Sequence, residues 1–328
     1  MNKAQHLTKY IKHLADSANI EVVTLNKNCS GLTGKCSEMP NDFIFKPLGI
    51  IKQFKMNKKL GLKVLLQNPI AVLKEGVRVR EQSYFKKKLI AQYNIEKLPS
   101  INILDLFPNL DEEIDSYSFL NGTSLITDLV LLKSLAKKTD KCTYLEIGSW
   151  RGESLVNVSN VTEDCTSLTL SSDEMKQLNF GEEFIKVHGV FSDHINTITR
   201  IQANSHTFDF NQLDKKFDLI FVDGDHSYDG VLNDTKKVFP LRKSKKSVIV
   251  WHDYGFHTEN TRYTTLKAIL DGIPKDKHSN LYHVSNTMCA IYIEDLELPT
   301  EFIKFPSFPN KKFTLKIKGE KITIPNKK

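Results

Sequence analysis

Between Thr143 and Trp251, short and nearly continuous apolar runs alternate with longer stretches in which apolar residues recur at helical spacing. Tyr144 to Ile147, Ser167 to Leu170, Ile198 to Gln202, Phe217 to Val222 and Ser247 to Trp251 read as five strands. Runs such as F-D-L-I-F-V and S-V-I-V-W lack a polar face, as strands covered on both sides do. Strands of this kind separated by helical segments predict βαβ units and a mostly parallel sheet. Farther on, Leu281 to Val284 and Met288 to Ile293 predict a closing antiparallel pair. Phe313 to Ile324, F-T-L-K-I-K-G-E-K-I-T-I, alternates strictly and predicts a hairpin turning at Lys318-Gly319.

The front of the chain is patterned differently. Leu7, Tyr10, Ile11, Leu14 and Ala18 recur at helical spacing and predict an amphipathic helix over residues 3–23. Asn26 to Pro40 is rich in Asn, Cys, Ser, Gly and Thr and reads as a loop. Phe43 to Leu66 is mixed, and a better helix is predicted from about Ile70 to Tyr93. Pro and acidic residues between Leu98 and Ser118 mark a boundary. Beyond it, Thr123 or Ser124 can cap a helix running to about Lys138, and Ser154 to Val161 continues from the central turn as another. The expected organisation is therefore a basic, mainly helical extension over 1–100, an α/β domain over 101–296 and a hairpin or tail over 297–328.

Composition narrows the class. The chain has 328 residues, of which 40% are hydrophobic and 26% charged, values of a globular protein. No apolar run approaches the roughly 18 to 20 residues of a membrane span, and the start lacks a signal peptide's apolar core, so a cytoplasmic location is expected. The five cysteines, Cys29, Cys36, Cys142, Cys165 and Cys289, lie at unrelated spacings, which argues against a disulfide framework. Residues 1–100 carry 18 Lys and Arg against 7 Asp and Glu, so the net charge of +7 comes from the front of the chain. Such a basic region can be a solvated helical face or a peripheral contact with an anionic membrane; no nucleic-acid-binding signature accompanies it.

The chemistry collects where the predicted strands end, the edge of an open parallel sheet at which ligands bind. The first strand runs into E-I-G-S-W-R-G-E-S, residues 146–154, a glycine turn entering a helix. Backbone N–H groups at such a helix start favour a polar or anionic ligand, and Gly148 and Gly152 would let it approach closely. The later strands end in Ser171, Ser172 and Asp173, in Asn204 and Ser205, in D-G-D-H-S-Y (Asp223 to Tyr228) and in His252, Asp253 and Tyr254. His226 suits either a general base or a helix cap, and His252, beside Asp253, suits a base. Asp225 serves either a substrate or the turn.

The series E-I-G-S-W-R-G-E-S, F-D-L-I-F-V-D-G-D-H-S-Y and V-I-V-W-H-D-Y resembles the class I S-adenosylmethionine-dependent methyltransferases, in particular a bacterial O-methyltransferase-like branch. The resemblance spans roughly Asp111 to Glu294 and implies a Rossmann-like sheet. It implies that Glu146, Gly148, Ser149, Trp150 and Gly152 hold the methionine and ribose parts of the cofactor. Ser171, Ser172 and Asp173 would stand where the family grips the ribose, Asn204 and Ser205 near the adenine, and Asp223 beneath the methionine amine. By the same resemblance Asp223, His252 and Asp253 match positions that bind a divalent cation such as Mn, Mg or Fe. A His between two carboxylates suits Mn, Fe or Zn better than Mg.

The function expected is methyl transfer to an oxygen of a small molecule or glycan precursor, with Asp223, His226, His252 and Asp253 as catalytic candidates. The acceptor pocket is expected from the loops Tyr117 to Thr123, Met175 to Asn196 and Phe256 to Arg262. An alternative is a binding module that keeps the cofactor fold and docks through residues 1–100. A nicotinamide-dependent oxidoreductase is disfavoured, since the turn spells E-x-G-x-x-x-G and not G-x-G-x-x-G. Nothing in the sequence states the oligomeric state.

Overall fold

The computed structural model describes residues 68–322. The expected helix over 3–23, the loop over 26–40 and the mixed stretch over 43–66 lie outside the described residues. Two compact units are distinguished, residues 1–81 and 82–328. The helix predicted from about Ile70 spans Pro69–Tyr93. Its last turns belong to the second unit, where Leu89 is buried and Phe85 stacks on Tyr228 with centroids 4.9 Å apart. No helix among the described residues is long and apolar enough to cross a membrane.

In chain order the strands are β1 (Ser100–Ile101), β2 (Thr143–Ile147), β3 (Asp164–Thr169), β4 (Ile198–Gln202), β5 (Leu219–Val222), β6 (Val248–Trp251), β7 (Gly255–His257), β8 (Asn260–Thr261), β9 (Leu281–Val284), β10 (Ala290–Tyr292) and β11 (Thr300–Glu301). Nine of them form one sheet in the order β11-β1-β9-β10-β6-β5-β2-β3-β4, and β7 and β8 form a separate hairpin. From β4 across to β6 every pairing is parallel. β10 runs antiparallel to both β6 and β9, which is the closing pair predicted from the pattern. This is an α/β, Rossmann-like sheet whose chain order reverses between β2 and β5, the place where such folds bind ligands.

Alternation along the strands builds a core on each face. Leu145, Ile147, Ile220, Val222, Ile249 and Trp251 pack with the helices Tyr228–Val238 and Tyr263–Gly272. Tyr144, Leu219, Phe221, Val248 and Val250 pack with Leu131, Leu132 and Leu135 of the helix Ile126–Lys137 and Leu155 of Glu153–Ser159. Each fully buried side chain of this size contributes about 1.5–3 kcal/mol, so the central strands anchor the loops that follow them. Trp251, wholly buried, donates its indole N–H to Thr235 Oγ1 at 2.9 Å.

Three expectations are corrected. Leu98, Ile101 and Ile103 are buried and β1 is part of the sheet, so the stretch from Leu98 lies inside the compact unit instead of bounding it. Neither Thr123 nor Ser124 caps the helix Ile126–Lys137; its N-cap is Leu125, whose N–H is taken by the Asp128 carboxylate at 2.8 Å. Residues 313–322 form no strand, and Leu315 and Ile317 are 63% and 73% exposed. Alternation alone offers those residues no sheet edge or apolar layer to pair with, so the expected hairpin does not form there; residues 323 and 324 lie outside the described residues.

Candidate functional site

The loops that leave β2, β5 and β6 meet above the sheet. Gly148 has φ +84°, and a Cβ there would lie 2.3 Å from the Asp223 carbonyl oxygen and 2.5 Å from Gly224 Cα. Gly152 has φ +89°, and its Cβ would lie 2.4 Å from Ser192 Oγ. The sequence assigned both glycines to ligand approach; what approaches them is the chain itself, the loop after β5 at one and the insertion between β3 and β4 at the other. The helix that follows is only seven residues long and opens with Glu153, whose Oε1 accepts the Ser118 N–H and hydroxyl at 2.8 and 2.6 Å. A carboxylate of the chain thus already lies in the first turn of this helix, where it complements the positive end of the helix dipole.

Glu146 is fully buried in β2 on the same face as Tyr144. Its Oε2 accepts the Tyr144 hydroxyl at 2.6 Å and its Oε1 the Ser154 hydroxyl at 2.9 Å, so it ties the strand to the following helix. Burial raises its pKa to about 7, against the hydroxyls of Tyr144, Ser154 and Ser149. Ser149 Oγ is buried beside it, and its hydroxyl also favours the charged carboxylate. The Trp150 indole stacks on Phe184 with centroids 4.5 Å apart, and the Arg151 guanidinium lies 3.9 Å from its ring centroid. Through these contacts Trp150 ties the insertion to the glycine turn. Phe191 N–H donates to the Arg151 carbonyl and Gly189 N–H to that of Trp150, so residues of the expected acceptor loop 175–196 close over the glycine turn.

At the end of β3 the expected acid is turned away. Asp173 has a side chain 85% exposed and pairs with Lys176, because it sits on the outer side of the short helix Ser172–Gln177. Ser171 is that helix's N-cap, in a reciprocal box with Glu174, and Ser172 is its first residue. Glu174 is the acid that reaches inward: its Oε1 accepts the Asn204 N–H at 2.9 Å and its Oε2 the Ser171 N–H at 2.8 Å. The S-x-x-E spacing of Ser171 and Glu174 was a visible capping signal for it. Asn204 makes a turn through the His206 N–H, and the Ser205 carbonyl accepts from Lys237.

The acidic and imidazole groups after β5 and β6 do converge. His252 is 8% exposed, with Nδ1 3.2 Å from Asp223 Oδ1 and 3.8 Å from Asp253 Oδ1, and Nε2 3.0 Å from Asp128 Oδ2. Burial disfavours its charged form, but the Asp223 and Asp128 carboxylates outweigh burial and hold its pKa well above 6.5. Both ring nitrogens of His252 thus face carboxylates, Nε2 that of Asp128 and Nδ1 that of Asp223. Asp253 adopts φ +54°, an uncommon backbone for a non-glycine residue, and its carboxylate meets His226 Nδ1 at 3.0 Å and Arg262 Nη2 at 3.3 Å. His226 is half exposed and caps nothing; Ser227 is the N-cap of Tyr228–Val238, and Asp225 serves that turn by accepting the Ser227 N–H and hydroxyl.

One donor atom each from Asp223, His252 and Asp253 lies within 4.8 Å of the others, partly open to solvent. That is a set of two oxygens and one nitrogen fit for a divalent cation such as Mn, Fe or Zn. Asp128 escaped the sequence reading because it lies 124 residues before His252 with no local motif of its own, and Arg262 was reached only as the end of an expected acceptor loop, not as the partner of Asp253.

Residues 145–254 match the model of a family described as a methyltransferase domain. None of the curated proteins compared with this chain matches it. Among solved structures, an O-methyltransferase from Bacillus cereus in complex with SAH is 13% identical, with 58% of this chain and 88% of that chain covered and a TM-score of 0.37. A presumed caffeoyl-CoA O-methyltransferase from Staphylococcus aureus is 16% identical, with 58% and 97% covered and a TM-score of 0.38. The SAH-bound methyltransferase PaMTH1 from Podospora anserina is 20% identical, with 53% and 80% covered and a TM-score of 0.34. What those proteins do is theirs; the reading of this chain rests on its own residues and on the domain match.

Proposed function

We propose that this protein is a cytoplasmic, class I S-adenosylmethionine-dependent methyltransferase that methylates an oxygen of a small molecule or glycan precursor. The observation that carries the reading is the convergence of Asp223, His252 and Asp253 at the ends of β5 and β6, directly against the glycine turn after β2. The domain match covers β5, β6, the end of β2 and the loops that follow them. The buried Glu146 and the carboxylates of Asp223 and Asp253 make the surround of the turn acidic, which suits a ligand with ammonium and sulfonium charges. S-adenosylmethionine, when bound, supplies an electrophilic methyl group on sulfur. A divalent cation held by Asp223, His252 and Asp253 would supply positive charge that orients an acceptor hydroxyl and lowers its pKa.

The chain's own groups divide the remaining work. Asp223 lies against the turn and faces the cationic part of the cofactor. His226 donates Nδ1–H to Asp253, which leaves Nε2 with a lone pair at the open side of the site, where it accepts the acceptor's proton as oxygen attacks in line. Arg262 holds Asp253 from the other side and keeps it from following His226 outward. The insertion over Trp150 and Arg151 restricts water at the turn.

Calorimetric titration with S-adenosylmethionine and its demethylated product, with NAD as control and with or without Mn or Mg, tests the reading. Micromolar cofactor binding, followed by methyl transfer to hydroxyl acceptors that His226→Ala and Asp253→Ala abolish without loss of cofactor affinity, is expected. Cofactor binding with no transfer across a broad acceptor panel would leave a binding module, and selective NAD binding would refute the reading.

A further inference from the structure

Asp128 lies in a helix far from every motif that marks the site, yet it is fully buried and both its oxygens are committed. Oδ2 accepts the Leu125 N–H at 2.8 Å and faces His252 Nε2 at 3.0 Å; Oδ1 accepts the Met288 N–H at 2.8 Å and faces Cys289 Sγ at 3.6 Å. Three segments, the helix start, the end of β6 and the approach to β10, thus fix one carboxylate. A carboxylate held by N–H donors offers only lone pairs, so the His252 nitrogen facing it carries the hydrogen. With Nε2 so assigned, Nδ1 is the ring nitrogen left to face Asp223 and Asp253, 3.2 and 3.8 Å away. An imidazole lone pair pointed at two carboxylates is repulsive unless a cation lies among them, and the candidates are a proton and a metal ion.

We propose that Asp128 is a positioning residue for a divalent cation: it fixes the Nε2–H tautomer of His252 and thereby presents Nδ1, with Asp223 and Asp253, as the ligand set. The inference rests on the metal-dependent form of the function proposed above. It adds a residue that no motif marks and states which nitrogen binds. Outer carboxylates of this kind orient a ligating imidazole and raise its basicity, and losing one costs about 10–100-fold in metal affinity.

The test is Mn²⁺ affinity of the full chain by electron paramagnetic resonance, with S-adenosylmethionine affinity measured in parallel. Asp128→Asn keeps an oxygen for one of the two backbone donors and loses the charge. It should weaken Mn²⁺ binding tenfold or more and leave cofactor affinity within twofold. Unchanged Mn²⁺ affinity in this variant would overturn the inference. So would a wild-type protein that binds cofactor but no Mn²⁺, a result that leaves the methyltransferase reading standing; loss of both ligands from the wild type would sink the two together. If Asp128→Asn fails to fold, imidazole ¹⁵N spectra of the wild type with Zn²⁺ decide the matter. Zinc on Nδ1 with Nε2 still protonated supports the assignment, whereas zinc on Nε2 or on neither nitrogen overturns it.

Discussion

The contact between the glycine turn and the loop after β5 makes a quantitative claim about Gly148→Ala. Gly148 has φ +84°, and its added Cβ would lie 2.3 Å from the Asp223 carbonyl oxygen and 2.5 Å from Gly224 Cα, all of it backbone that cannot rotate away. A left-handed conformation costs a residue with a Cβ about 1–2 kcal/mol, and forcing a methyl into a packed site costs typically 1–3 kcal/mol. Together these give a loss of about 3 kcal/mol, a large share of the roughly 5–15 kcal/mol that stabilises a folded protein. With a urea slope of about 3 kcal/mol/M, the unfolding midpoint falls by about 1 M. Fluorescence of buried Trp251 is a suitable probe. Gly319→Ala is the control, because Gly319 lies outside any helix or strand and has nothing within 4 Å of its Cβ; it should be neutral or stabilising by up to about 1 kcal/mol. The displacement also carries Asp223 away from His252, so Mn²⁺ affinity should fall with stability. If Gly148→Ala unfolds at the wild-type midpoint, the turn and the loop are not in contact and the site as described is wrong.

Glu146→Gln tests the buried carboxyl. A folded pKa of about 7 against an ordinary 4.5 means that the native state binds a proton the unfolded state lacks between those values, so the contribution of this group is present at low pH and lost as pH rises from about 4.5 to 7. Its loss amounts to roughly 3 kcal/mol, and Glu146→Gln should flatten that slope in denaturation curves taken from pH 5 to 8; an unaltered slope would show that Glu146 is not the group responsible. Trp150→Ala removes the ring stacked on Phe184 and Arg151, and amide exchange at Gly189 and Phe191 should quicken tenfold or more. Unchanged protection would mean that the insertion is held by something else.

The alternation of apolar strands and helices was enough to place β2, β5 and β6 within a residue or two, because central strands bury both faces and leave an unmistakable pattern, and the spacing placed the edge strand β4 and the antiparallel closing pair as closely. The same rule singled out Asp223, His226, His252 and Asp253, polar residues directly after buried strands, and the structure sets their side chains beside one another. Asp173 was misread for a local reason. Its position along the chain was right, but one turn of helix carried it outward and left the inner place to Glu174. Phe313 to Ile322 kept a strand's alternation and formed no strand, since period two describes only which side a residue faces and supplies no partner.

What the sequence determined by itself, then, was the order of strands and the residues at their ends, both properties of neighbours along the chain. Only the tertiary structure decided which groups meet. It brought Asp128 to His252 and the carbonyl of Asp223 to Gly148, and it left Arg262 beside Asp253 across the β7–β8 hairpin. Such pairings depend on how far each strand extends and how the sheet is ordered, a sum of packing over the whole unit that no local pattern encodes.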